Sequence, residues 1–145
     1  MDPNAEAQEK ALEALKAFVD RAAPACSEVA SDIIPGLMDK CLLKDNNRNK
    51  ELAQAIILLF IEIGMHERVL KELHDGLKDT RPTVVVPCLN LLRLALASFG
   101  PQIVKTTPLT SNVIKGLADP HSTVRDTSMQ LGKEMSRWKK NLHRR

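Results

Sequence analysis

Apolar residues recur three and four positions apart along four long stretches of the chain. The first carries Ala11, Leu15, Phe18 and Ala22, and the second Leu52, Ile56, Leu59 and Ile63. The third carries Val84, Cys88, Leu91 and Ala95, and the fourth Val124, Leu131, Met135 and Trp138, with Ser128 in register. This is the helical period and not the alternation of a strand. Each stretch follows a short polar loop that opens with Asp: DPN at 2–4, DNNR at 45–48, DTRP at 79–82 and DPHS at 119–122. The Asp-to-Asp spacings of 43, 34 and 40 residues fall in or near the range of two-helix solenoid repeats. Asp2, Asp79 and Asp119 are placed to accept hydrogen bonds from first-turn amides, and Pro3, Pro82 and Pro120 suit early helical positions that need no donor. Stops follow at Ala23-Pro24, Gly64 and Gly100-Pro101. Shorter helices are predicted over roughly 27–43, 66–78 and 109–118 by the same punctuation. Pro35-Gly36 and Pro87 predict kinks, because a proline inside a helix removes a backbone hydrogen bond.

Long and short helices therefore alternate, beginning and ending on a long one. The pattern predicts an all-α protein, an α-solenoid of about three and a half two-helix repeats with about seven helices. Such a chain opens on the second helix of a repeat. Met1-Asp2-Pro3 accordingly reads as a cut into a longer protein. The apolar face of an uncovered first helix would be open to self-association.

Composition narrows the class. Aromatic residues make up 3% of the chain and tyrosine is absent, which argues against a β-sandwich or barrel. The four aromatics, Phe18, Phe60, Phe99 and Trp138, fall one per repeat, as core spacers between stacked units would. The formal charge of +3 owes much to a basic tail over 137–145, where Arg137, Lys139, Lys140, Arg144 and Arg145 meet no acid. The body without them is slightly acidic, so no nucleic-acid face is expected. Cys26, Cys41 and Cys88 lie far apart among apolar neighbours and read as buried thiols of a reducing compartment. His66, His74, His121 and His143 show no metal-ligand spacing. No glycine-rich phosphate loop or nucleophile elbow occurs, so neither a cofactor nor catalysis is expected. The longest unbroken apolar run, Ala55 to Ile61, is too short to cross a bilayer. With no signal-type start after Met1, the chain reads as a cytosolic or nuclear protein without a membrane partner.

The segments DPNAEAQEKALEAL, ELAQAIILLFIEI, LHDGLKDTRPTVVVPCLNLLRLALASFG and LADPHSTVRDTSMQLGKEMSRW resemble the TOG domains of the mini spindles and ch-TOG microtubule-polymerase family, nearest the first domain of the array. That resemblance implies a HEAT-like α-solenoid. It covers most of the chain, which then forms a single partial TOG domain over 1–145 lacking its opening repeat. The tryptophan of the family's first tubulin-facing loop is missing, since Trp138 matches a core position. The resemblance further implies binding of αβ-tubulin and microtubule plus ends, promotion of microtubule polymerisation, and a place in the cytoplasm on the cytoskeleton, at spindle or organising centre. A HEAT-type adaptor for another protein is the alternative.

In a two-helix solenoid the loops within repeats line one edge. That edge would carry Asn4, Arg48, Asn49, Lys50, Arg81, Thr83, His121, Ser122 and Arg125. Helix-start amides mixed with Arg and Lys suit an acidic surface. Two readings stay open at several positions. Arg125 serves a partner or an Asp–Arg ladder between repeats through Asp119 or Asp126, and Arg48 and Lys50 serve a partner or merely solvate a helix start. Arg81, on a loop just before a proline, favours contact.

Overall fold

The computed structural model describes residues 3–21, 33–36 and 47–143. Among the described residues all regular structure is helical, in six helices: α1 (Pro3–Arg21), α2 (Asn47–Phe60), α3 (His66–Gly76), α4 (Pro82–Phe99), α5 (Thr107–Leu117) and α6 (Ser122–His143). Residues 33–36 are helical as well, inside the first predicted short helix. The remainder of that helix lies outside the described residues, as do Asp2, Asp45, Cys26 and Cys41. The all-α, HEAT-like reading is met, with α3 and α5 as short members and α1, α2, α4 and α6 as long ones.

The chain divides into two compact units, residues 1–72 and 73–145, the boundary falling within α3. In the first unit α1 packs on α2. Leu52, Ala53, Ile56, Ile57 and Phe60 of α2 are buried, together with Leu12 of α1. The face of α1 differs from the predicted one: Ala11 is exposed and Phe18 is 50% exposed. The inward line is Ala5, Gln8, Leu12 and Leu15, because the fully buried Asn49 of α2 fixes it. Asn49 Nδ2 donates to Gln8 Oε1 at 2.6 Å and to the Ala5 carbonyl at 3.5 Å. A polar anchor thus turns the helix where apolar counting alone points one residue away. Gly64 ends α2 as predicted: at φ +99° it sits in a widened turn over Ile61–Met65, a conformation glycine adopts without a Cβ clash.

In the second unit α6 packs on both α4 and α5. Cys88, Leu89, Leu91, Leu92, Ala95 and Leu96 of α4 are buried, and Leu131 of α6 and Leu109 of α5 are fully buried with them. By length and composition α4 could cross a membrane, with a mean hydropathy of 1.5, a property that a search for unbroken apolar runs passes over. The helix runs continuously through Pro87, which stands close enough to its start that only one backbone bond, to Thr83, is forgone. Cys88 is buried, and burial pushes its thiol up to about 12, so it packs as a protonated apolar group. Gly100 caps α4 at φ +79° and donates to the Leu96 carbonyl at 2.9 Å. Trp138 lies over this glycine, 3.5 Å from where a Cβ would be. Of the four aromatics, Phe60 is fully buried, Phe99 and Trp138 are partly buried, and Phe18 is not a core spacer.

Candidate binding edge

The loops before α4 and α6 share one local design. Asp79 Oδ1 accepts the backbone N–H of Arg81 at 2.8 Å, and Asp119 Oδ1 accepts the backbone N–H of His121 at 2.9 Å. Each is an Asx turn, in which the carboxylate engages the residue two positions on. This corrects the expectation that these aspartates cap the first helical turn. The reason is spacing: Arg81 is the N-cap of α4, with Pro82 following at the helix start, and α6 opens at Ser122. Both carboxylates therefore stop one turn short of the helix amides. Asp2 lies outside the described residues.

The same aspartates hold the side chain two residues on. Arg81 Nε donates to Asp79 Oδ1 at 3.1 Å and Nη2 to Oδ2 at 2.9 Å, a bidentate pair with fixed direction. His121 Nδ1 lies 2.9 Å from Asp119 Oδ1. Both aspartates are held below the usual carboxylate range. Asp79 falls from 3.8 to about 2, chiefly through the Arg81 side chain and then the Arg81 amide. Asp119 is lowered by the amide and then the ring of His121. A depressed carboxylate contributes stability above its ordinary value, and that contribution disappears as pH falls through the folded one. Titration of the Asp79 carboxyl by NMR should thus show a midpoint near 2. In Arg81→Ala it should move toward 3.8; an unmoved midpoint would mean that the pair does not set it.

Arg125 is also engaged locally. Its Nη1 donates to the carbonyls of Asp119 and Pro120, each at 2.9 Å. The guanidinium clamps the carbonyls of its own loop, and its charge also helps to lower the Asp119 carboxyl. Thr83, in the first turn of α4, and Ser122, the first residue of α6, are exposed. The two loops meet in a small cleft of about 30 Å³ lined by Asp79, Asn112, Lys115 and Asp119 among others. The second unit thus places Asp79 and Asp119, which hold Arg81 and His121, on one cleft.

In the first unit Arg48 is tied to α1, with Nε 3.2 Å from Glu9 Oε1 and Nη2 3.4 Å from Glu13 Oε1. It is neither a bare helix-start residue nor an unengaged contact. Lys50 is partly buried in the first turn of α2. Asn49 turns inward and is not an edge residue. Asn4 falls in the first turn of α1, and its side chain lies outside the described residues. Asp79 and Asp119 are the organising residues that were not singled out for the site. The signal for them was the repeated Asp with a polar long side chain two positions later, DTR and DPH. Among the described residues, no group of three or more His, Cys, Asp or Glu is placed to hold a metal ion.

Short polar loops fixed by internal carboxylates, at one end of paired helices, define a helical-repeat scaffold. The family model for the XMAP215/Dis1/CLASP TOG domain matches residues 1–144, and the chain belongs to that family. It is 35% identical over 138 residues to Protein mini spindles of Drosophila melanogaster, covering 95% of this chain and 7% of that protein. It is 32% identical over 137 residues to Protein MOR1 of Oryza sativa subsp. japonica, and 30% identical over 137 residues to Centrosomal protein 224 of Dictyostelium discoideum. In both cases it covers 94% of this chain and 7% of the relative. The chain thus spans a small part of the length of the relatives it matches.

Proposed function

We propose that this TOG domain binds αβ-tubulin through the loops that precede its long helices, without chemistry on its partner. In a longer protein it would help to recruit tubulin for microtubule polymerisation. The observation that carries this reading is the twice-used Asx turn of the second unit. It fixes the loop backbone while leaving Arg81 69% and His121 53% exposed beside the starts of α4 and α6. Helix N-termini carry positive partial charge, and with Arg81 and Arg125 they form an edge suited to an acidic surface. Placement on the cytoskeleton, at spindle or centrosome, follows from the same reading and from the names of the relatives.

The test must change the edge without damaging the fold. Thr83→Glu with Ser122→Glu places two acids in exposed first turns, where they complement the helix dipole. Thermal stability is expected to hold or rise. Tubulin affinity is expected to fall about tenfold or more, as for opposed charges at an interface. Gln102→Glu with Gln130→Glu adds the same charge at exposed positions away from these loops and should leave affinity within about twofold. Equal effects from both pairs would remove the loop edge as the interface.

A further inference from the structure

The loops before α4 and α6 share one design but end in different side chains. An arginine such as Arg81 keeps its charge at any working pH, whereas a histidine gains or loses its charge between about pH 5 and 8. The structure fixes which atom of His121 changes. Its Nδ1 lies 2.9 Å from Asp119 Oδ1, and the same oxygen accepts the His121 backbone N–H at 2.9 Å. That carboxyl is held below its ordinary range, first by this amide and then by the ring, so it stays ionised wherever a histidine titrates. An ionised carboxylate can only accept. The proton of the neutral ring therefore sits on Nδ1, and Nε2 carries the lone pair.

The ring is exposed, and Nε2 has no hydrogen-bond partner among the described residues. Protonation thus keeps the Asp119 contact and turns the outward atom from an acceptor into a charged donor. The neighbouring charges are already engaged or lie to one side. Arg125, in the first turn of α6, is bonded to the carbonyls of Asp119 and Pro120. Lys115, in the last turn of α5, and Asp79, of the loop before α4, line the small cleft that Asp119 also lines. Asp79 is itself paired with Arg81. His121 is therefore the group by which this pair of loops can change its outward charge near neutral pH.

We infer that His121 faces a carboxylate of the partner, so that protonation of its ring tightens the complex, while Arg81 supplies attraction that does not vary with pH. An outward lone pair repels a carboxylate, and an outward charged N–H binds it. This inference rests on the loop-edge reading of tubulin binding and adds to it the chemistry of the partner group and a dependence on pH.

The test measures affinity for unpolymerised αβ-tubulin at about pH 6.3 and about pH 7.6, inside the span where histidine changes charge. It compares the unsubstituted chain with His121→Asn and His121→Lys. The Asx turn uses the backbone amide of residue 121, so both variants keep the loop and their melting curves should match. Tubulin and the other histidines titrate as well, and His121→Asn records their share. Beyond that share the unsubstituted chain is expected to bind about two- to fivefold more tightly at the lower pH, the range for one exposed ion pair. His121→Lys should hold the tighter affinity at both values, corrected in the same way. A pH response equal in the unsubstituted chain and His121→Asn would overturn the inference and leave the loop-edge reading standing. Absence of binding at both values would overturn the two together. The premise is checked without tubulin by nitrogen NMR of the ring at about pH 8: a protonated Nδ1 is expected, and a protonated Nε2 would overturn it.

Discussion

Replacing Leu131 by Ala is expected to lower the unfolding free energy by about 2–5 kcal/mol, the range for deleting a fully buried leucine from a packed core. Leu131 is 0% exposed and belongs to α6, the helix that packs on both α4 and α5. Its loss leaves a cavity that neither partner helix can close alone, because each is held by α6. Against a typical total of about 5–15 kcal/mol, this is a large share. Urea unfolding followed by circular dichroism checks it: the midpoint should drop with the slope unchanged. A change below about 0.5 kcal/mol, as for surface positions, would mean that α6 is not the packing centre of the second unit.

The second large effect comes from adding a single carbon. A Cβ at Gly116 of α5 would fall on Ser128 Oγ and lie 2.9 Å from Ser128 Cβ, closer than real side chains approach. Gly116 is buried, so the helices must move apart. Helix propensity favours Ala over Gly by about 1 kcal/mol, yet Gly116→Ala is expected to destabilise by about 1–3 kcal/mol, because overpacking a close helix contact outweighs propensity. Ser128 is fully buried and its hydroxyl has no hydrogen-bond partner among the described residues, so its small size is what the contact uses. The double substitution Gly116→Ala with Ser128→Gly exchanges the two sides of the contact. It should recover most of the loss, measured as coupling in a thermodynamic cycle. A stabilising Gly116→Ala would show that α5 and α6 are not in close contact there.

These two positions differ in how visible they are in the chain. Leu131 stands in the periodic apolar series of the fourth long stretch, so its burial is legible from spacing alone. Gly116 is one glycine in a short helix, and only the approach of α6 makes it necessary. The same division runs through the loops. Alternation of long and short helices, and their ends at Gly64 and Gly100, follow from local punctuation, since a positive φ is a property of the residue itself. The inward face of α1 does not, because it is set by Asn49, more than forty residues away, reaching Gln8 and Ala5.

At the loops before α4 and α6 the polar residues were legible and their internal partners were not. Arg81, His121 and Arg125 are each already engaged by their own loop. Arg48 is held by Glu9 and Glu13 of a helix distant in sequence. A list of basic residues therefore overstates the charge a partner meets. What the edge offers is narrower: aspartate-fixed loops whose exposed tips keep a defined direction, which favours specificity and association rate over raw attraction.

Sedimentation velocity of unpolymerised αβ-tubulin mixed with an excess of this chain at low salt shows whether the loop edge binds tubulin. A faster boundary containing both proteins is expected, reverting toward that of tubulin alone when Thr83→Glu and Ser122→Glu are introduced together. A tubulin boundary that the unsubstituted chain leaves unchanged would contradict such binding.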